Sequence, residues 1–232
     1  MTDPTEAEFR DRPLRSFGRT GGRPLSPRQK ALMAEKLHAY RIPAGDAPLN
    51  LEALIPGKRA YWLEIGFGGA EHMVEQARRN PDVGIFGCEP FLEGVAKALG
   101  GIEDTGADNI RLWPDDARPL IERLPDASLE RVFILFPDPW PKRRQHKRRL
   151  IQPAFLKMLH PKIKPGGRLR FATDVISYAD EALHTLTAAD GFEWLASSAD
   201  DWRKPPQDHI TTRYESKQLG DCKPVWFDFQ IA

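Results

Sequence analysis

An acid and an aromatic ring are held among three prolines in the stretch Phe136-Pro137-Asp138-Pro139-Trp140-Pro141. The apolar run Val132-Phe133-Ile134-Leu135-Phe136 precedes it, and a basic run, Lys142 to Arg149, follows at once, with six of its eight residues Lys or Arg. Continuous apolar runs of this length suit a strand buried on both faces of a parallel sheet. The prolines cannot continue a central strand, so Asp138 and Trp140 are expected at its carboxyl end, where open α/β sheets bind ligands. A carboxylate, an indole and a positive arm side by side suit a flat polar base attached to a polyanion. Each part also has a plainer reading: a turn-forming Asp between prolines, a hydrophobic lid, and a solvated charged face.

A second group of residues sits earlier. Glu64 lies inside the apolar stretch Ala60 to Ile65, and Gly66-Phe67-Gly68-Gly69 follows it directly. Glycine permits a tight bend and close approach of backbone to a ligand, and an acid inside a strand needs a polar partner. Glu89 closes the next apolar stretch roughly 20 residues on, where a carboxylate holds ribose hydroxyls in nucleotide-binding turns. NAD and S-adenosylmethionine both fit. The NAD fingerprint wants Gly or Ala at the last position of the turn, where this chain has Glu71. S-adenosylmethionine has no pyrophosphate to seat and needs no strict fingerprint, so it is the expected cofactor. Asp115 or Asp116, after the third strand, is placed to reach the adenine edge.

These groups must be positioned by alternating elements. Strands are expected at 60–65, 83–88, 110–113, 132–136 and 168–173, with a late strand near 191–195 and a terminal one at 225–231. Between them, helices are expected at 71–79, at 92–99 closed by Gly100-Gly101, from 117 to about 124, at 152–160 and at 177–188. Pro165-Gly166-Gly167 reads as a turn, and Ser26-Pro27 as the cap of a helix reaching Tyr40. The order predicts a doubly wound, mostly parallel Rossmann-like sheet with helices on both faces. Residues 1–26 are polar and rich in Gly, Pro and Arg, and read as a basic, flexible arm before a single domain at 27–232. From Arg10 to Lys30 there are seven basic residues and one acid.

Composition narrows the class. Net charge is only +1, so any nucleic-acid partner must be recognised by clustered rather than global charge. Two cysteines, Cys88 and Cys222, make no disulfide framework and fit a reducing cytoplasm. No apolar run approaches the roughly 20 residues of a membrane helix, and no signal segment is evident. No His/Cys spacing suggests a metal. His38, His72, His160, His184 and His209 receive no role, and His146 reads as an extra cation or donor in the basic run.

Taken together, Leu63-Glu64-Ile65-Gly66-Phe67-Gly68-Gly69, Gly87-Cys88-Glu89, Asp116-Ala117, Phe136 to Lys142, Thr173-Asp174 and Thr212-Arg213-Tyr214-Glu215 resemble the motifs of bacterial tRNA (guanine-N7)-methyltransferases. The resemblance covers most of the chain from Leu63 onward. It implies methyl transfer from S-adenosylmethionine to N7 of the guanine at position 46, in the variable loop of tRNA. By position, it implies cofactor contacts at Glu64, Gly66, Gly68, Glu89, Asp116 and Asp138, with Asp138 also catalytic. It implies substrate contacts at Lys142, Asp174, Thr212, Arg213, Tyr214 and Glu215. The basic run adds Arg143, Arg144, His146, Lys147 and Arg148 as candidate phosphate contacts. The Trp202–His209 segment and the arm match the family weakly, and the oligomeric state, monomer or homodimer, stays open.

Guanine N7 carries no proton, so methylation there requires positioning rather than a general base. A carboxylate near the cation that forms would favour the transition state, and Asp138 or Asp174 could supply it. Two other readings compete. An amino-methyltransferase acting on adenine uses an Asp-Pro-Pro-aromatic motif, from which this chain departs by its single proline between Asp138 and Trp140. A non-catalytic RNA-binding module would not need Glu64, Gly66, Gly68 and Glu89.

Overall fold

The computed structural model describes residues 24–232. The arm expected at 1–26 therefore lies almost wholly outside the described residues. Seven strands form one sheet in the order β3-β2-β1-β4-β5-β7-β6. They are β1 (Ala60–Ile65), β2 (Val83–Cys88), β3 (Ile110–Trp113), β4 (Leu129–Leu135), β5 (Ile163–Thr173), β6 (Phe192–Trp194) and β7 (Val225–Ile231). The pairs β1–β2, β1–β4, β2–β3 and β4–β5 are parallel, and β7 runs antiparallel to both of its neighbours. The chain moves outward from β1 through β2 to β3, then crosses back to put β4 on β1's other side. That reversal opens a crevice between the carboxyl ends of β1 and β4.

Helices cover the sheet on both faces, and successive side chains along each strand point alternately into two cores. Trp62, Ile85 and Phe133 face one core, shared with the helices α1 (Pro27–Glu35), α4 (Glu71–Arg79) and α5 (Leu92–Thr105). The short helices α2 (Leu37–Tyr40) and α3 (Leu51–Leu54) complete the N-terminal part. Leu63, Phe86 and Val132 face the other core, shared with α6 (Ala117–Arg123), α7 (Pro153–Leu159) and α8 (Ile176–Thr187). One further short helix, α9 (Asp200–Arg203), precedes the long return to β7.

Three local expectations change. Helix α5 does not stop at Gly100-Gly101 but continues to Thr105, where Gly106 ends it in the left-handed conformation. The two glycines let α5 lie close to its neighbours: a Cβ on Gly101 would stand 3.1 Å from Val74. The Pro165–Gly167 stretch is taken into β5 as an irregularity, the register with β4 jumping between Leu129 and Arg131. The N-terminal helix breaks at Lys36, leaving α1 and α2.

Candidate active site

The turn after β1 and the turn after β4 face each other across the crevice. Gly66 and Gly68 hold φ of 76° and 52°, and a Cβ on either would meet no protein atom within 4 Å. Both line a cleft of about 670 Å³. Gly94 of α5 backs the turn so closely that a Cβ there would lie 2.5 Å from the Gly68 carbonyl oxygen. The sequence carries no sign of this requirement, since Gly94 there is merely a glycine inside a helical pattern.

Glu89 ends β2 and is 8% exposed. Its carboxylate accepts from the Gly68 N–H at 2.8 Å and from the Phe91 N–H at 3.0 Å. Burial pushes its pKa up, the two amides pull against that, and Asp138 adds a smaller upward push. Asp115 and Asp116 line the same cleft. Asp116 caps α6 by accepting from the Arg118 N–H at 2.8 Å and pairs with the Arg118 guanidinium at 2.7 Å. Asp115 accepts from the Asp116 N–H at 2.7 Å. The capping carboxylate is fixed by two bonds, while Asp115 is the more exposed of the two.

Across the crevice, β4 ends at Leu135, and the next residues take strained backbone. Phe136 has φ of 51° and Trp140 has φ of 44°, left-handed values that bulky residues avoid at a cost of order 1–3 kcal/mol each. Asp138, exposed, projects between these two positions and lines the cleft together with Trp140 and Arg148. The Arg148 guanidinium sits 5.0 Å above the Trp140 ring. Residues Arg143–Arg148 form a short 3-10 helix in which Arg143, Arg144 and Lys147 are exposed.

A smaller pocket of about 220 Å³ adjoins the cleft, and Gly66, Gly68 and Phe136 line both. Glu64, Thr212, Arg213 and Tyr214 line the smaller one. Tyr214 packs on Phe136 at 5.5 Å between ring centroids, and its hydroxyl donates to Asp174 at 3.3 Å. Its pKa is pushed up to about 12, first by burial and then by Asp174 and Asp138. Asp138 is therefore felt electrostatically at Glu89 on one side and at Tyr214 on the other.

The structure divides the expected site residues. Lys142, Asp174 and Glu215 line neither pocket. Asp174 is 4% exposed, beneath Tyr214. Glu215 turns inward, accepting from the Thr212 N–H at 2.8 Å and pairing with His209 at 2.9 Å. The reading of Lys142 to Arg149 as one phosphate-facing run fails at its last member. Arg149 is 1% exposed and makes four hydrogen bonds to protein acceptors, and a guanidinium so well supplied is tolerated in the interior.

Two of the histidines without a role, His72 and His209, prove structural. His72 Nδ1 lies 2.6 Å from the Glu64 carboxylate, and its Nε2 accepts from the Gln76 amide at 3.3 Å. The same amide donates to the Asp208 carbonyl at 2.7 Å. Asp208 also takes Arg131 and Arg170, each at 2.7 Å, and Arg170 holds Asp228 at 2.8 Å. This polar chain seats the segment before Thr212 onto the face of β4, β5 and β7. Its one trace in the sequence is that Arg131 and Arg170 each stand directly beside the apolar part of a strand, Val132–Leu135 and Phe171–Ala172.

Comparison with known proteins agrees with this geometry. A family model described as "Putative methyltransferase" matches residues 58–227. A tRNA (guanine-N(7)-)-methyltransferase of Hyphomonas neptunium is 76% identical over 94% of this chain and 100% of its own length. One from Caulobacter vibrioides is 50% identical over 94% of this chain and 95% of its own. The chain belongs to the tRNA (guanine-N(7)-)-methyltransferase family. Solved structures share the fold at low identity. A putative rRNA methylase from Clostridium thermocellum has a TM-score of 0.54 at 12% identity, covering 75% of this chain and 90% of that one. The 16S rRNA methyltransferase KamB has a TM-score of 0.53 at 15% identity, covering 78% and 92%.

The cleft fits the donor used by such methyltransferases. The two glycines leave a cradle that a side chain would fill. Four carboxylates, Glu89, Asp115, Asp116 and Asp138, line it against two guanidiniums, Arg118 and Arg148. A surplus of negative charge is more favourable to a sulfonium than to a pyrophosphate.

Proposed function

We propose that this protein transfers a methyl group from S-adenosylmethionine to N7 of a guanine in tRNA, at position 46 of the variable loop. The observation that carries the reading is Asp138. It projects from a strained turn at the meeting of an acidic cleft, a pocket lined by Thr212–Tyr214, and an exposed basic helix. S-adenosylmethionine, when bound, supplies an electrophilic methyl on a positively charged sulfur.

The chain's own residues do the rest. Gly66 and Gly68 give close backbone approach, Glu89 accepts from ribose hydroxyls, and Asp115 or Asp116 meets the adenine edge. Glu64, fixed by His72, closes the far side of the glycine turn. Asp138 accepts hydrogen bonds from the guanine edge and offsets the positive charge that the base gains. No base is needed at N7, so orientation supplies most of the rate, worth roughly 7–11 kcal/mol. Thr212, Arg213 and Tyr214 bound the base pocket. Asp174 positions Tyr214 from below, Glu215 shapes its own loop, and Lys142 extends the basic side. Arg143, Arg144, His146, Lys147 and Arg148 meet phosphate. The arm at 1–26 adds cations to the domain at 27–232. Among the described residues no helix is long and apolar enough to cross a membrane, and tRNA places the protein's work in the cytoplasm.

The test is incubation with labelled S-adenosylmethionine and tRNA lacking 7-methylguanosine, followed by chemical cleavage at that nucleoside. A single cut in the variable loop is expected. Label on adenine, or tight tRNA binding without transfer, would overturn the reading.

A further inference from the structure

We propose that Arg149 is a positioning residue for methyl transfer, clamping the Asp138–Trp140 turn to helix α8, and that it takes no part in binding RNA. The inference rests on the methyltransferase reading above.

Arg149 closes the basic run in sequence but leaves it in space. It is 1% exposed, whereas Arg143, Arg144 and Lys147 stand in solvent. Its Nε donates at 2.9 Å to the carbonyl of Pro139, the residue between Asp138 and Trp140. Its Nη1 donates to the Ser177 carbonyl at 2.9 Å and to Glu181 at 2.6 Å, and its Nη2 to the Ser177 hydroxyl at 2.8 Å. The guanidinium also lies 4.8 Å over the Tyr178 ring. One rigid fork thus ties a strained turn to the first half of α8.

The rest of that face makes a second attachment. The Tyr178 hydroxyl accepts from the Leu150 and Ile151 amides at 3.0 and 3.3 Å. Glu181 also pairs with His146 at 3.2 Å and accepts from Gln152 at 3.4 Å. The chain from 139 to 152 is therefore fastened to one helix at both ends of its 3-10 turn. Left-handed backbone at Phe136 and Trp140 persists only where surrounding structure over-determines it. Arg149 is the residue that reaches the carbonyl between those two positions. Lysine cannot replace it, because a single ammonium on a flexible stem does not reproduce four directed bonds.

The experiment uses the full chain with Arg149→Lys, Ser177→Ala and Glu181→Gln, beside the wild type. Steady-state methylation of tRNA, donor binding by calorimetry and tRNA binding by filter retention are measured. In Arg149→Lys, kcat is expected to fall about 100-fold, the scale of a 1 Å misplacement. The donor and tRNA dissociation constants are expected to stay within about two-fold of wild type. Ser177→Ala removes the hydroxyl acceptor and Glu181→Gln removes the charge opposite the guanidinium, and each is expected to lower kcat by a smaller factor with donor affinity as in the wild type. If Arg149→Lys does not fold, these two decide the matter. Unchanged kcat in folded variants overturns the clamp, and so does a loss confined to tRNA affinity, which would make Arg149 an RNA contact. A wild type that makes no 7-methylguanosine overturns the methyltransferase reading itself, and the clamp with it.

Discussion

Asp138 and Glu89 occupy opposite walls of one cleft and are expected to fail in different ways. Asp138→Asn keeps the shape of the side chain and removes its charge. A stabilising group aimed at developing charge is worth about 10²–10³ in kcat, so kcat in Asp138→Asn should drop by that factor, and by more than donor affinity changes. Single-turnover methylation checks this, and near-wild-type turnover would remove Asp138 from the chemistry. Glu89 behaves differently because burial raises its pKa. Holding ribose hydroxyls favours the ionised form. Donor affinity should therefore weaken as pH falls toward that raised value, above the usual carboxylate range. Glu89→Gln should bind the donor at least about tenfold more weakly, since good charged hydrogen bonds contribute about 1.5–3 kcal/mol, and should lose the pH dependence. Calorimetry across acidic and neutral pH would show a persistent dependence if another group were responsible.

At the level of elements, two features decide whether the site is assembled. Helix α5 meets the β1 turn at Gly94, with no room for a methyl beside the Gly68 carbonyl. Gly94→Ala improves helix propensity, so an isolated α5 would gain from it. In the folded protein the overpacking should dominate, destabilising by about 1–3 kcal/mol and weakening donor binding as the turn is displaced. Thermal unfolding with and without donor measures both, and a more stable variant with normal affinity would refute the importance of this packing. The 3-10 helix Arg143–Arg148 should act through charge. Removing the exposed Arg143 or Arg144 should weaken tRNA binding uniformly. It should also reduce the slope of log affinity against log salt by about one for each phosphate no longer neutralised. A slope that does not move would return these residues to the solvated face.

Across the whole molecule, Asp208 joins the late segment to the sheet. Arg170 and Arg131 hold its carboxylate well below the usual range against the opposing effect of burial. A depressed acid pKa contributes stability that is present above the unfolded value of about 3.9 and lost as pH falls through the folded one. Asp208→Asn should therefore lower Tm at neutral pH and flatten the acid limb of the Tm–pH curve. It should also raise the KM for tRNA, because Thr212–Tyr214 lie just beyond the anchor. An unaltered acid limb would show that Asp208 is not the titrating group that matters.

Local pattern along the chain is enough for the order of the strands, the turns after β1 and β4, and the family. Periodicity and breakers are local, so β1, β2 and β3 fall where the apolar runs end, and Gly66, Glu89 and Asp138 are tied to strand ends by chain order alone. Packing in three dimensions is what settles which charges serve the fold and which face a ligand. Arg149 looks like its basic neighbours until helix α8, far along the chain, brings Ser177 and Glu181 to it. Asp174 and Glu215 sit in site motifs, yet one lies beneath Tyr214 and the other bonds its own loop. Gly94 and His72 carry no mark either, because their needs arise from a backbone carbonyl and a strand glutamate on other elements. Burial and partner choice depend on what the chain places opposite a side chain. A one-dimensional pattern records neighbours along the chain and not neighbours in space.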